Sequence, residues 1–188
     1  MARTATINDT DLLDKLSRVF RDYGYAGASL TMLAEACGLK KASLYHRFPG
    51  GKEQMASEVL AETKTWLTQN VLSILAQDIP AQDRILNMTQ KLDQFYAHGR
   101  QACLLNMLSA ARMEPGPFTN DIQRIFTAFI KALTQVLMDA GFDKTEAKRR
   151  AERTVAQLQG TLVLSRGTGS TKPFRDFLAY LPHEIFAS

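Results

Sequence analysis

Hydrophobic residues recur at helical spacing along most of the chain, and no segment alternates between apolar and polar residues as a strand would. Near the start, apolar stripes predict a helix that ends near Gly24 and two short helices over 30–37 and 42–48. Further helices are predicted over 52–77, 85–99, 103–113, 120–140, 145–166 and 172–181. We therefore expect an all-α protein of about nine helices.

The two short helices are predicted to form a helix-turn-helix. Ser29 is a good N-cap for the first, because its hydroxyl can accept a hydrogen bond from a free backbone N–H. Gly38 follows the first apolar stripe and can adopt the left-handed conformation that ends a helix. Pro49 ends the second helix, since the residue before a proline avoids helical geometry. A glycine turn between two short helices is typical of this motif.

The outer face of the second short helix is basic, hydroxylated and aromatic. Residues 36–52 contain no Asp or Glu. Phosphate is the natural counter-charge for such a surface, so double-stranded DNA is the expected partner. A solvated basic surface helix is the simpler alternative, but it explains neither the turn nor the hydroxyl and aromatic groups. The expected DNA contacts are Ser29, Thr31, Lys40, Lys41, Ser43, Tyr45, His46, Arg47 and Lys52.

The segment LYHRFPGGKE, residues 44–53, resembles the recognition-helix signature of the TetR family of bacterial transcriptional repressors. Together with the Gly24-Tyr25 pair, the resemblance covers about the first 60 residues. It implies a three-helix DNA-binding domain over residues 1–51. It also implies a larger helical domain over residues 52–188 for ligand binding and dimerisation.

The resemblance further implies a mechanism. A homodimer would bind a pseudo-palindromic operator, and a small organic inducer in the larger domain would release it. The helix predicted over 52–77 would connect the two domains, with a length of about 39 Å at 1.5 Å per residue.

Large apolar residues of the larger domain are candidates for the inducer cavity, although core packing alone explains each of them. The candidates are Trp66, Met88, Phe95, Tyr96, Cys103, Met107, Met113, Phe118 and Phe126. The resemblance also implies a dimer interface on the last two helices, through Val155, Leu158, Leu162 and Phe177.

Two alternatives share the same helical pattern. Cys103 could be a thiol that senses oxidants or electrophiles, or it could be a small buried apolar residue. The whole chain could also be a helical adaptor that binds only proteins. An enzyme is not expected, because His46, His98 and His183 are scattered and the sequence has no nucleophile, phosphate-binding or zinc-protease motif. No metal site or cofactor is predicted.

Composition agrees with a DNA-binding regulator. The chain has 188 residues, a net charge of +4 and 45% hydrophobic residues, enough for a substantial core. Its two cysteines form no CxxC pair, which argues against a disulfide scaffold. Neither a membrane-spanning run nor a secretory signal is evident, so a soluble, cytoplasmic protein without a membrane partner is expected.

Overall fold

The computed structural model describes residues 8–109 and 114–187, and this part of the chain contains helices and no strand. A π-helical turn over Thr68–Leu72 joins α4 to α5 without a break, so the described residues form nine helical segments, as predicted. The helices are α1 (Asp9–Gly27), α2 (Leu30–Cys37), α3 (Lys41–Arg47), α4 (Gly51–Leu67), α5 (Ser73–Leu75), α6 (Ala81–Phe95), α7 (Leu104–Leu108), α8 (Thr119–Asp139), α9 (Lys144–Thr168) and α10 (Lys172–Glu184).

The first three helices share one apolar core. Leu16 and Phe20 of α1 pack with Leu33 of α2 and Leu44 of α3, and each of the four is at most 1% exposed. Burial of one such side chain contributes about 1.5–3 kcal/mol. Two short helices that would be marginal alone are thereby fixed in orientation.

α1 differs from its predicted end. It was predicted to stop near Gly24, but it continues to Gly27 across a break at Gly24, where φ is 70° and ψ is 173°. A Cβ atom at Gly24 would lie 3.3 Å from the Met107 carbonyl oxygen of α7. Gly24 therefore combines a positive φ with close approach of the larger domain, which other residues would not tolerate without strain.

The connecting segment is not one regular α-helix. The π-helical turn interrupts the predicted helix between α4 and α5. Its wider hydrogen-bonding pattern leaves the Trp66 carbonyl to accept from the Asn70 side-chain amide at 3.0 Å. A single extra residue in a turn barely alters hydrophobic periodicity, so the sequence pattern did not reveal it.

The remaining helices build the larger domain. α8 packs along α9, which packs along α10. Arg84 of α6 donates to Asp139 of α8 at 2.8 Å and ties these helices together. α7 is shorter than the predicted helix, part of which lies outside the described residues, and α10 continues past Pro182 to Glu184.

Candidate nucleic-acid interface

α3 presents polar side chains on a helix held from behind. Leu44 and Phe48 are 1% and 0% exposed and anchor its inner face. The outer face carries exposed side chains, with Tyr45 46% exposed. The other exposed members of the predicted contact set here are Lys40, Lys41, Ser43 and His46. The structure therefore brings these five side chains to one surface.

The turn between α2 and α3 fixes the angle between them. Gly38 adopts the left-handed conformation with φ 66° and ψ 27°, as its position predicts. Its N–H donates to Glu35 O at 3.0 Å, and the N–H of Leu39 donates to Ala34 O at 2.9 Å. These bonds satisfy carbonyls that the end of α2 would otherwise leave free.

The N-terminal end of α2 adjoins this surface in sequence and is capped as predicted. The Ser29 hydroxyl accepts from the Met32 N–H at 3.2 Å. Thr31, in the first turn, is exposed. The free N–H groups and partial positive charge of a helix N-terminus favour an anion such as a phosphate.

Arg47 has intramolecular partners rather than a free side chain. Its guanidinium pairs with Asp9 of α1 and Glu58 of α4, each at 3.2 Å, and lies over the Phe48 ring. The hydrogen bond to Asp9 raises the pKa of Arg47 above its ordinary value. Arg47 therefore links α3 to the helices on either side of it.

Lys52 is engaged in a similar way. Its Nζ donates to the carbonyl oxygens of Tyr25 at 2.8 Å and Ala28 at 3.0 Å, and lies 4.6 Å from the centre of the Tyr25 ring. Lys52 thus closes the end of α1 against the start of α4. Both Arg47 and Lys52 are therefore held in place by contacts within the chain.

Four of the predicted inducer-cavity residues contact one another in series. Trp66 and Phe95 stack with ring centroids 4.1 Å apart, and both line a cleft. Phe95 also packs edge-on against Tyr96 at 5.0 Å, and Tyr96 contacts Cys103. Met88 is buried in the hydrophobic core. Phe126 is half-buried and packs against that core. Phe118 packs edge-on against Tyr25 at 4.9 Å, where the two domains meet, and Met107 lies against Gly24. Met113 lies outside the described residues.

Cys103 is enclosed next to Tyr96. The thiol is 4% exposed and accepts from the Tyr96 hydroxyl at 3.6 Å. Burial, followed by the neighbouring Cys103, raises the pKa of Tyr96 well above its ordinary value, so the phenol stays neutral. Cys37, the other thiol, is buried in the helix-turn-helix core.

The predicted dimer residues require a correction. Val155, Leu158 and Leu162 are 6%, 2% and 4% exposed within a single chain. They belong to the protomer core, so they cannot supply the exposed area of a dimer interface. Phe177 is half-buried. A hydrophobic stripe shows that a face is covered, but not whether the same chain covers it.

A cleft that the sequence pattern did not predict lies between the two domains. It lies between α1 on one side and α4 and α6 on the other, with a volume of about 570 Å³. Arg21 of α1 lines it and is 4% exposed, and burial lowers its pKa below the ordinary value. Arg21 donates to the carbonyl oxygen of Ala102, 81 residues away, a contact that no local pattern could reveal.

A three-helix domain with an exposed basic helix, followed by a larger helical domain, defines a helix-turn-helix DNA-binding regulator. Residues 12–59 match the family model of bacterial regulatory proteins of the tetR family. Residues 81–179 match the model of the C-terminal domain of LmrA/YxaF-like transcriptional regulators. The chain belongs to the TetR family of transcriptional regulators and is a DNA-binding protein.

Known proteins agree with this assignment. The HTH-type transcriptional regulator LmrA of Bacillus subtilis strain 168 is 24% identical over 176 residues, covering 91% of this chain and 93% of LmrA. A TetR regulator from Legionella pneumophila shares the fold with a TM-score of 0.80 and 21% identity, over 95% of this chain and 97% of that one.

A third comparison includes DNA. A cysteine mutant of the TetR-family regulator CifR, in complex with a 26-base-pair double-stranded operator, has a TM-score of 0.76 and 19% identity. The match covers 99% of both chains. At this identity the two structural matches show a shared fold.

Two further observations concern the described part of the chain. None of its helices is both long and apolar enough to cross a membrane. Its His, Cys, Asp and Glu side chains form no group of three that could hold a metal ion.

Proposed function

We propose that this protein is a ligand-responsive transcriptional repressor that binds a pseudo-palindromic operator as a homodimer. The exposed face of α3 carries the proposal. Its polar side chains project from a helix that buried Leu44 and Phe48 hold in place. A rigid helix with polar side chains on one face is suited to the major groove, where each base pair presents a distinct pattern of donors and acceptors.

The contacts divide into two kinds. Ser43, Tyr45 and His46 are proposed to reach base edges or nearby phosphates. Lys40 and Lys41 add charge at the start of α3, and α2 directs its N-terminal N–H groups to a phosphate. Arg47 and Lys52 hold α3 and the end of α1 in place through their present partners, and they are proposed as additional phosphate contacts.

The proposed dimer interface uses the exposed sides of α9 and α10. Val163, Leu164 and Tyr180 are 44%, 55% and 60% exposed, which is unusual for large apolar side chains. Gly160 lies in the same stretch of α9, and a Cβ there would meet nothing within 4 Å. Glycine within a helix costs about 1 kcal/mol relative to alanine, so close approach of a second chain is a reason for its presence. Such a twofold interface presents two α3 helices together.

Release by a ligand follows from coupled equilibria. The ligand must bind more tightly to a conformation in which the two α3 helices are wrongly spaced for successive major grooves, about 34–36 Å apart. A preference of about 1–3 kcal/mol weakens operator binding by roughly 5- to 150-fold. α4 extends from the DNA-binding domain into the larger domain, so its displacement can change that spacing.

A binding selection tests the proposal. Random duplexes are selected on the purified protein, and affinity for the selected duplex is measured by fluorescence anisotropy at several salt concentrations. Tyr45→Ala and Lys41→Ala should each weaken binding by about 1–3 kcal/mol, while the exposed controls Tyr23→Ala and Lys131→Ala should leave it unchanged. Equal affinity of all four variants would exclude α3 as the binding surface, and failure to select any duplex would favour a helical adaptor.

A further inference from the structure

The cleft between α1 and the pair α4 and α6 has the dimensions of a small-molecule site. Its volume of about 570 Å³ lies within the usual range for such pockets, about 300–1,000 Å³. The stacked rings of Trp66 and Phe95 form part of its lining. An aromatic surface of this kind suits a flat ring, which can stack on it.

A buried cation lies at one end of the cleft. The Arg21 guanidinium stacks over Phe95, with its central carbon 4.8 Å from the ring centre. It donates to the Ala102 carbonyl at 2.6 Å and to the Ser17 hydroxyl at 3.3 Å, and it forms no ion pair with a carboxylate of the described residues. A buried cation without an opposite charge is costly, so a carboxylate supplied by a ligand would stabilise this end.

Unpaired carboxylates line the cleft elsewhere. Asp11 of α1 and Glu62 of α4 are exposed, and neither pairs with a cation within 8–109 and 114–187. Asp14 differs, because it pairs with Arg18 at 2.7 Å. Ten positions separate Asp11 from Arg21 along α1, which corresponds to about 15 Å. Along α1 the cleft thus runs from the Asp11 carboxylate to the Arg21 guanidinium, and Lys91 of α6 also lines it.

Polar side chains add possible contacts along the wall. Thr63 of α4 lines the cleft and is 7% exposed. Asn70, in the π-helical turn, lines the same cleft. π-Turns inside helices are frequent at functional sites.

We infer that this cleft between the domains is the inducer site, and that it binds an amphoteric ring compound with a protonated amine at one end and a carboxylate at the other. The amine would face Asp11 and Glu62, the rings would stack on Trp66, and the carboxylate would face Arg21. This inference rests on the proposed ligand-responsive function. It differs from the predicted cavity inside the larger domain, because one wall belongs to the DNA-binding domain.

The position of the cleft supplies a direct means of regulation. A ligand between α1 and α4 touches both domains at once, so its binding energy can depend on the angle between them. Operator binding would fix that angle through α3, which is tied to α1 by the Arg47–Asp9 ion pair. Ligand and operator then favour different angles between the two domains, so each weakens the binding of the other. No rearrangement inside the larger domain is required.

Three related compounds test the charge pattern. Ciprofloxacin has a fused ring system, a carboxylate and a protonated amine at opposite ends. Its N-acetyl derivative lacks the positive charge, and its ethyl ester lacks the negative one. Isothermal titration calorimetry on the full-length protein should show the strongest binding for ciprofloxacin, with a loss of roughly tenfold for each derivative. Trp66, the only tryptophan in the chain, provides a second reading through its fluorescence.

Variants assign each charge to one end. Glu62→Gln should weaken ciprofloxacin and its ester but leave the N-acetyl derivative unchanged. Arg21→Gln should weaken ciprofloxacin and the N-acetyl derivative but not the ester. Since Arg21 also binds the Ala102 carbonyl, a melting curve checks that this variant folds, and exposed Glu62 keeps the test decisive if it does not. Glu152→Gln on α9 is the matched control.

Two results would overturn the inference. One is no binding of ciprofloxacin to the wild-type protein, and the other is equal affinity for all three compounds. Operator affinity and dimerisation of the same wild-type sample are measured in parallel. If they persist, only the cleft assignment fails; if they are lost, the proposed function fails as well.

Discussion

Single residues in this DNA-binding domain serve either the contact surface or the frame behind it. Tyr45 and Lys41 are exposed, whereas Lys52 donates to two backbone carbonyls. All three carry a hydrogen-bond donor, so the sequence alone suggested DNA contact for each. Only the distances between atoms show which donor is bonded within the chain and which is free to contact DNA.

Lys52→Met should reduce stability. It keeps the apolar stem but removes the ammonium, leaving the Tyr25 and Ala28 carbonyls without their donor. The free energy of unfolding in urea should fall by about 1–3 kcal/mol. Lys131→Met, at an exposed site on α8, is the control.

Unchanged stability of Lys52→Met would mean that the ammonium is free for DNA. In that case the slope of log affinity against log salt concentration should fall by about one for the variant. The two measurements together show whether Lys52 stabilises the fold or contacts a phosphate.

Both thiols should be unreactive in the folded protein. Cys37 and Cys103 are 3% and 4% exposed, and burial raises the pKa of Cys37, which lowers its thiolate fraction. A thiol-specific chromogenic reagent should label them slowly in buffer and completely in urea. Fast labelling of Cys103 alone, with loss of operator binding, would instead support the thiol-sensor alternative.

At the scale of helices, the sequence predicted features that depend on neighbouring residues. It did not predict features that depend on contacts between distant segments. Ser29 and Gly38 define the ends of α2 from residues close in sequence, and the structure agrees. The π-helical turn at Thr68–Leu72 and the Arg21–Ala102 contact depend on packing between distant segments. Hydrophobic periodicity also could not distinguish a protomer core from a dimer interface, as Leu158 shows.

Arg84 and Asp139 link α6 to α8, and this link should depend on pH. The hydrogen bond from Arg84 lowers the pKa of Asp139 below its ordinary value of 3.8. A lowered pKa in the folded state means that the stabilisation is complete above the ordinary value and is lost as the pH falls through the lowered one.

Asp139→Asn should therefore be less stable than the wild type at neutral pH. The difference should shrink as urea unfolding is repeated at successively lower pH below 3.8. Asp121→Asn, which removes an exposed partner of Arg124, should show a much smaller effect. A difference that stays constant with pH would contradict the role given to the ion pair.

At the scale of the whole molecule, the proposed function requires two chains. One α3 contacts a single half-site, and the second half-site needs a twofold partner. Gly160, Val163 and Leu164 lie on the exposed stretch of α9 that we propose as the contact. Of the predicted interface residues, Val155, Leu158 and Leu162 are instead already buried within one protomer.

Val163→Glu should convert the dimer into a folded monomer, because it places a charge in an apolar contact. Sedimentation velocity should show half the mass, and circular dichroism should show unchanged helicity. Operator affinity should fall sharply, since a second α3 is no longer held in place. Lys144→Glu, at the start of α9, controls for a change of charge. A Val163→Glu variant that remains dimeric would place the interface elsewhere.

Protection of guanine N7 from dimethyl sulfate on a selected duplex measures most directly whether α3 occupies the major groove. We predict two protected patches about 10–10.5 base pairs apart, with the Tyr45→Ala variant losing both together. Two results would contradict the account. One is a bound duplex in which every guanine N7 still reacts fully with dimethyl sulfate, and the other is protection that the Tyr45→Ala substitution leaves unchanged.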